Sequence, residues 1–87
     1  MSDVVTVMAG HAEYVGRLKS REGNIVELEN PRLITFNEQG GMGFAHGIAA
    51  SGVEQPSSMT IVSPVFITET NEEVVKAWHQ ATSGLIV

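Results

Sequence analysis

The stretch Tyr14-Val-Gly-Arg-Leu-Lys-Ser-Arg-Glu-Gly-Asn-Ile-Val-Glu-Leu-Glu-Asn-Pro-Arg-Leu-Ile-Thr-Phe36 decides the fold. Residues 12–21 alternate: Tyr14, Gly16 and Leu18 share one face, and Arg17, Lys19 and Arg21 share the other, the period of a β-strand. Glu22-Gly23-Asn24 is a turn signal. Residues 25–29 read as the next strand, with Val26 and Leu28 on its apolar face. Facing side chains in a hairpin lie on the same side of the sheet, and Leu18 and Leu28 both belong in a core. That parity demands an odd loop, most simply the three residues Glu22, Gly23 and Asn24. The resulting register sets Arg17 opposite Glu29, Lys19 opposite Glu27 and Arg21 opposite Ile25. Asn30-Pro31 breaks or bends the strand, because proline has no amide to give to a ladder. Leu33 to Phe36 resume β character.

Outward from this hairpin, the β-branched run at residues 4–8 reads as a first strand, interrupted by Gly10 and His11. Residues 37–58 hold five of the nine glycines and few β-branched residues, and read as one long Gly-rich loop. Residues 59–62 and 65–68 read as two short strands, with Ser63-Pro64 marking a bend between them. The period then changes. Thr70-Asn71-Glu72-Glu73 has the form of a capping box, with the Thr70 hydroxyl as the N-cap group. Val74, Ala77, Trp78 and Ala81 recur at helical spacing, so a helix is expected over about 71–82. Gly84 suits its end, and Leu85-Ile86-Val87 is an apolar tail.

Composition bounds the class. Eighty-seven residues, 43% hydrophobic and 17% charged, make a single domain of ordinary globular character. The absence of cysteine removes disulfides and thiolate metal sites and fits a reducing compartment. Met1-Ser2-Asp3 lacks the pattern of a secretion signal, and no apolar run approaches the ~20 residues of a membrane span, so a cytoplasmic, soluble location is expected. The net charge of -5 argues against nucleic-acid binding by bulk electrostatics. Four of the five basic residues nevertheless fall between Tyr14 and Phe36, which concentrates positive charge locally.

Five short strands, a bent transition from the fourth to the fifth and one C-terminal α-helix describe a mainly β chain, a small five-stranded barrel spanning residues 4–69. Its motifs resemble those of the Sm/LSm family of ring-forming RNA-binding proteins. Gly16, Leu18, Glu22 and the Ile25–Leu28 strand are similar to the family's first motif. Ile61-Val62-Ser63-Pro64-Val65-Phe66-Ile67 occupies the place of its second, an Ile-Arg-Gly run joining the last two strands. Segment 37–58 matches its variable loop. Three features depart from the pattern: Val62 and Ser63 stand where that run has arginine and glycine, the first turn is a residue short, and the helix follows the barrel instead of preceding it. The resemblance implies an Sm-like (SH3-like) barrel that assembles as a homo-oligomeric ring, binds single-stranded RNA or DNA, and serves nucleic-acid processing.

The candidate binding residues are Arg17, Lys19, Arg21, Asn24, Phe44 and His46. The basic stripe is placed to touch phosphates, although Glu29 and Glu27 offer Arg17 and Lys19 cross-strand ion pairs that need no ligand. Arg21 has no such partner and is the stronger candidate. The turn amides and the Asn24 side chain suit a base edge; the alternative is a plain hairpin turn. Phe44 and His46 suit base stacking; the alternative is a surface loop, or one packed on a neighbouring subunit. His11, His46 and His79 have no metal-ligand spacing, and no cofactor is implied. No nucleophile or acid–base constellation is visible, so an enzyme is not expected. Trp78 reads as a core or docking anchor. A second class of function stays open: a structural or protein–protein adaptor of the viral or phage accessory type, favoured by the acidic charge and the apolar tail.

Overall fold

The computed structural model describes residues 3–45, 47–49 and 51–82. Six strands precede one helix: β1 Val4–Ala9, β2 Ala12–Glu22, β3 Ile25–Phe36, β4 Met42–Phe44, β5 Ser58–Val62, β6 Phe66–Glu69 and α1 Glu72–Thr82. They form an antiparallel sheet in the order β4-β3-β2-β1-β6, with β5 paired to the first half of β3. The class is mainly β with a C-terminal helix, as the sequence implies. Two details differ: the strands among the described residues number six, not five, and the sheet is not closed.

The additional strand lies in the segment expected to be loop. Met42–Phe44 folds back on Ile34–Phe36, and the Asn37 side chain holds the connecting turn by accepting from the amides of Gln39 and Gly41 at 2.9 and 2.8 Å. Its two glycine-flanked apolar residues are too few to show a period of their own, so pairing with β3 decides their conformation.

The parity argument holds at Leu18↔Leu28 and Arg17↔Glu29, but the chain meets it differently. The turn has only two residues, Gly23 and Asn24, between Glu22 and Ile25, and Gly23 takes φ +57° at its first position. A two-residue turn alone would set Leu18 on the wrong face. An irregularity between Leu18 and Ser20 leaves Lys19 without an opposite residue and restores the alternation.

A second irregularity replaces the expected break at Asn30-Pro31. Strand β3 continues through it, with Asn30 and Pro31 together opposing Gly16. Asn30 adopts φ +49°, a conformation asparagine tolerates better than most residues. The polar groups of this bulge are accounted for. The Asn30 amide donates to the Ser57 carbonyl at 2.8 Å, and the Asn30 carbonyl accepts from the Trp78 indole at 2.8 Å. Pro31 has no amide to satisfy, and its carbonyl accepts from Arg32 Nη1 at 2.8 Å. Gly16 is required opposite: a Cβ there would stand 3.0 Å from the Glu29 carbonyl oxygen and 3.3 Å from Pro31 Cα.

The sheet carries a core on each face. Val7, Val26, Leu28 and Ile61 fill one, with Tyr14, Leu18 and Ile67 packed against them. Val4, Val15, Ile34, Val74 and Trp78 fill the other, where α1 covers the sheet. The helix buries Val74 and Trp78 and leaves Ala77 and Ala81 exposed, so its contact face is rotated from the one expected. Its N-cap is also displaced by one residue. Asn71 Oδ1 accepts from the Val74 amide at 2.9 Å, whereas the Thr70 hydroxyl bonds that of Thr6 at 2.8 Å. With Asn71 as cap the third helical residue is Val74, so no capping box forms. Gly84 and the Leu85–Val87 tail lie outside the described residues.

Candidate nucleic-acid interface

The expected basic stripe does not form on one face. Cross-strand partners share a side of the sheet, so Arg17, opposite Val4 and Glu29, belongs to the helix-covered side. Beyond the bulge at Lys19 the alternation is inverted. Arg21 lies opposite Val26, not Ile25, and so stands on the side of the Leu18–Val26–Leu28 core, at its exposed rim. One extra residue in β2 thus separates three cations that strict alternation would have aligned.

Their partners differ too. Arg17 Nε lies 3.4 Å from Asp3 Oδ1, an ion-pair distance without hydrogen-bond geometry, since Nε is buried with no acceptor. Its guanidinium carbon sits 5.5 Å from the Trp78 ring centroid, a cation–π contact. The expected pairing with Glu29 is therefore replaced by contacts to the N-terminal segment and the helix. Lys19 Nζ does reach Glu27 Oε2, at 3.5 Å, although Ser20 is the residue registered opposite Glu27. An exposed pair of this kind contributes about 0–1 kcal/mol. Arg21 is exposed and, among the described residues, has no ion pair.

Arg32, the fourth cation of the hairpin, is 8% exposed. Burial lowers its pKa, yet an arginine remains protonated at neutral pH. Its guanidinium donates to the bulge carbonyl, so its position answers a backbone need within β3.

Asn24 occupies the β2–β3 turn beside the β5–β6 junction. Its Nδ2 donates to Ser63 Oγ at 2.9 Å, and its carbonyl accepts from the Ser63 amide at 2.7 Å. Ser63 holds φ +55°, the left-handed region in which L side chains are uncommon. Two turns remote in sequence are thereby joined into one surface, with Arg21 exposed at its edge. Ser63 is absent from the candidate binding residues because a serine before proline signals only a bend. The strain in its backbone appears only in three dimensions.

No family model matches this chain, and no curated protein matches it.

The remaining candidates lie elsewhere. Phe44 pairs with Ile34, nine residues along β3 from Ile25 and so roughly 30 Å of strand contour from the turn. It is half-buried and packs against the helix-covered core. His46 lies outside the described residues. Among the described residues no group of three or more His, Cys, Asp or Glu is gathered as metal ligands would be. Among the described residues no helix is long and apolar enough to cross a membrane.

Proposed function

We propose that this chain is an Sm-like module that binds single-stranded RNA or DNA at the joined turns of Asn24 and Ser63 and assembles as a homo-oligomeric ring for a role in nucleic-acid processing. The observation that carries the proposal is the Asn24–Ser63 junction. It brings the turn resembling the family's first motif against the segment resembling its second. Ser63 occupies the place that the resemblance gives to the family's glycine and adopts a φ of +55°, a conformation that glycine takes most readily, which supports the reading. The strand succession is compatible with the same reading. Strands β5 and β6 flank β3 and β1, and the segment between β3 and β5 stands where the family's variable loop does.

Two open edges support the ring reading. Among the described residues, strands β5 and β6 each pair on one side only, which leaves backbone open on the other. Ile25, Val62, Val65 and Phe66 are exposed near their junction, between 45% and 65%. Pairing β5 of one subunit with β6 of the next covers both edges and repeats the Arg21–Asn24–Ser63 surface around the ring, so that weak contacts add by avidity.

The first test combines light scattering with anisotropy titration of labelled oligo(U) and oligo(dT). A mass of several subunits and salt-sensitive binding are expected. Arg21→Ala should weaken binding and reduce the salt slope by about 0.7 for each phosphate that the arginine neutralises, with Arg17→Ala and Lys19→Ala smaller in effect. A monomer with no measurable affinity removes the proposal.

An adaptor function is the second reading. Arg17 and Lys19 are engaged within the chain, and the exposed apolar residues around Val62 and Phe66 suit protein contacts. Cross-linking that captures a protein partner and no nucleic acid favours it.

A further inference from the structure

A second surface lies at the opposite end of β3. A cleft of about 230 Å³ opens between β4 and α1, lined by Ile34, Met42, Phe44, Val74 and Ala77, with Glu73 the one charged group. It is smaller than the about 300–1,000 Å³ of small-molecule sites and suits one or two apolar side chains. Phe36 and Met42 face each other across the hairpin and extend the apolar surface beyond it, at 65% and 50% exposure.

The cleft runs beside an open sheet edge. Hydrogen bonds from Asn37 to Gly41 and from Ala45 to Leu33 set the β3–β4 ladder, so alternation turns the backbone groups of Met42 and Phe44 away from β3. No described strand pairs with that side. An extended peptide laid there would gain main-chain hydrogen bonds from β4 and place an alternate side chain in the cleft.

Charge selects the occupant. Glu73 is exposed and forms no ion pair among the described residues, Lys76 on the next turn included. The complement is an apolar anchor with a lysine or arginine nearby. A second copy of this chain does not supply it. Neither of its other edge strands, Ser58–Val62 or Phe66–Glu69, contains a basic residue, and neither does the segment 83–87. Its basic–apolar neighbours Arg17-Leu18-Lys19 and Arg32-Leu33 lie in strands β2 and β3, which are paired on both sides, and Val75-Lys76-Ala77 lies in helix α1 and so offers no extended segment.

We infer that the β4 edge and the adjoining cleft bind an extended segment of a different protein, one that carries an apolar anchor beside a basic residue. The surface is separate from the Asn24–Ser63 turns, and its occupancy does not depend on the nucleic-acid reading.

The test uses acetylated, amidated fluorescent hexapeptides of threonine with one leucine and one lysine, the lysine walked through the positions, and a matching panel with glutamate for lysine. Binding to the full chain is expected for some lysine peptides and at least tenfold weaker for their glutamate counterparts. Glu73→Lys should invert that preference. Ala77→Trp, at an exposed helix position, should fill the cleft and lower affinity at least tenfold while thermal unfolding and oligonucleotide binding stay unchanged. The inference is overturned by no lysine peptide binding below about 1 mM, by equal binding of both panels, or by affinity undiminished in Ala77→Trp. A fall in self-association on Ala77→Trp would assign the cleft to a second copy and likewise overturn it.

Discussion

Replacing Trp78 with phenylalanine tests how the helix and the bent strand support each other. Trp78 is 1% exposed, and its indole N–H is the donor that satisfies the Asn30 carbonyl, at 2.8 Å. Phenylalanine keeps most of the apolar contact but removes that donor. The part-buried Asn30 carbonyl then loses its indole partner. An orphaned buried carbonyl costs about 1–3 kcal/mol. The smaller ring also leaves a gap beside Val4, Val15, Ile34 and Val74, for which about 1 kcal/mol more is reasonable. The sum, about 2–4 kcal/mol, is large against the roughly 4–13 kcal/mol total of a chain this size. For a domain this small, the corresponding fall in Tm is roughly 8–30 °C. Trp78 is the only tryptophan, so unfolding should be followed by far-UV circular dichroism, not by fluorescence. Protein concentration must be held fixed, since self-association alters apparent stability. A loss below about 0.5 kcal/mol, the range of neutral surface changes, would refute the view that the indole completes the bulge.

Gly16→Ala should destabilise the chain by about 1–3 kcal/mol, because the nearest obstacle to the new methyl group is the Glu29 backbone oxygen at 3.0 Å, not a side chain that can swing away. Thermal unfolding reads this directly, and an unchanged Tm would show that the bulge yields. Asn71→Ala should cost about 0.5–2 kcal/mol by removing the acceptor for the Val74 amide. Thr70→Ala should lower stability through the Thr6 contact, by about 0.5–1.5 kcal/mol, without the loss of helicity at α1 that Asn71→Ala produces. Chemical denaturation together with amide exchange at Val74 and Val75 separates the two.

Local chemistry made much of this chain legible. Alternation and β-branched residues marked β1, the hairpin and the two short strands at 58–69, because a half-buried strand imposes a period of two on its own sequence. The leucine parity gave the facing pairs Leu18↔Leu28 and Arg17↔Glu29, since both leucines must leave water whatever turn joins them. The change of period at Thr70 marked the helix, and Trp78 was recognisable as its anchor.

Tertiary structure decided what local patterns leave degenerate. A three-residue turn and a two-residue turn with a bulge satisfy the same parity, and only packing across the sheet selected the second, which moved Arg21 away from Arg17. Asn30-Pro31 signals a break until a neighbouring strand and an indole supply partners for its backbone. The chain then bends there without ending. Thr70 and Asn71 are both good caps, and the choice fell to Asn71 because Thr6, far away in sequence, engaged the threonine. The Asn24–Ser63 contact joins residues 39 apart. Sequence determines where the chain can be strand or helix because those preferences act within a few residues. Bulges, partners and joined turns arise only once distant segments compete for the same hydrogen bonds and the same buried space.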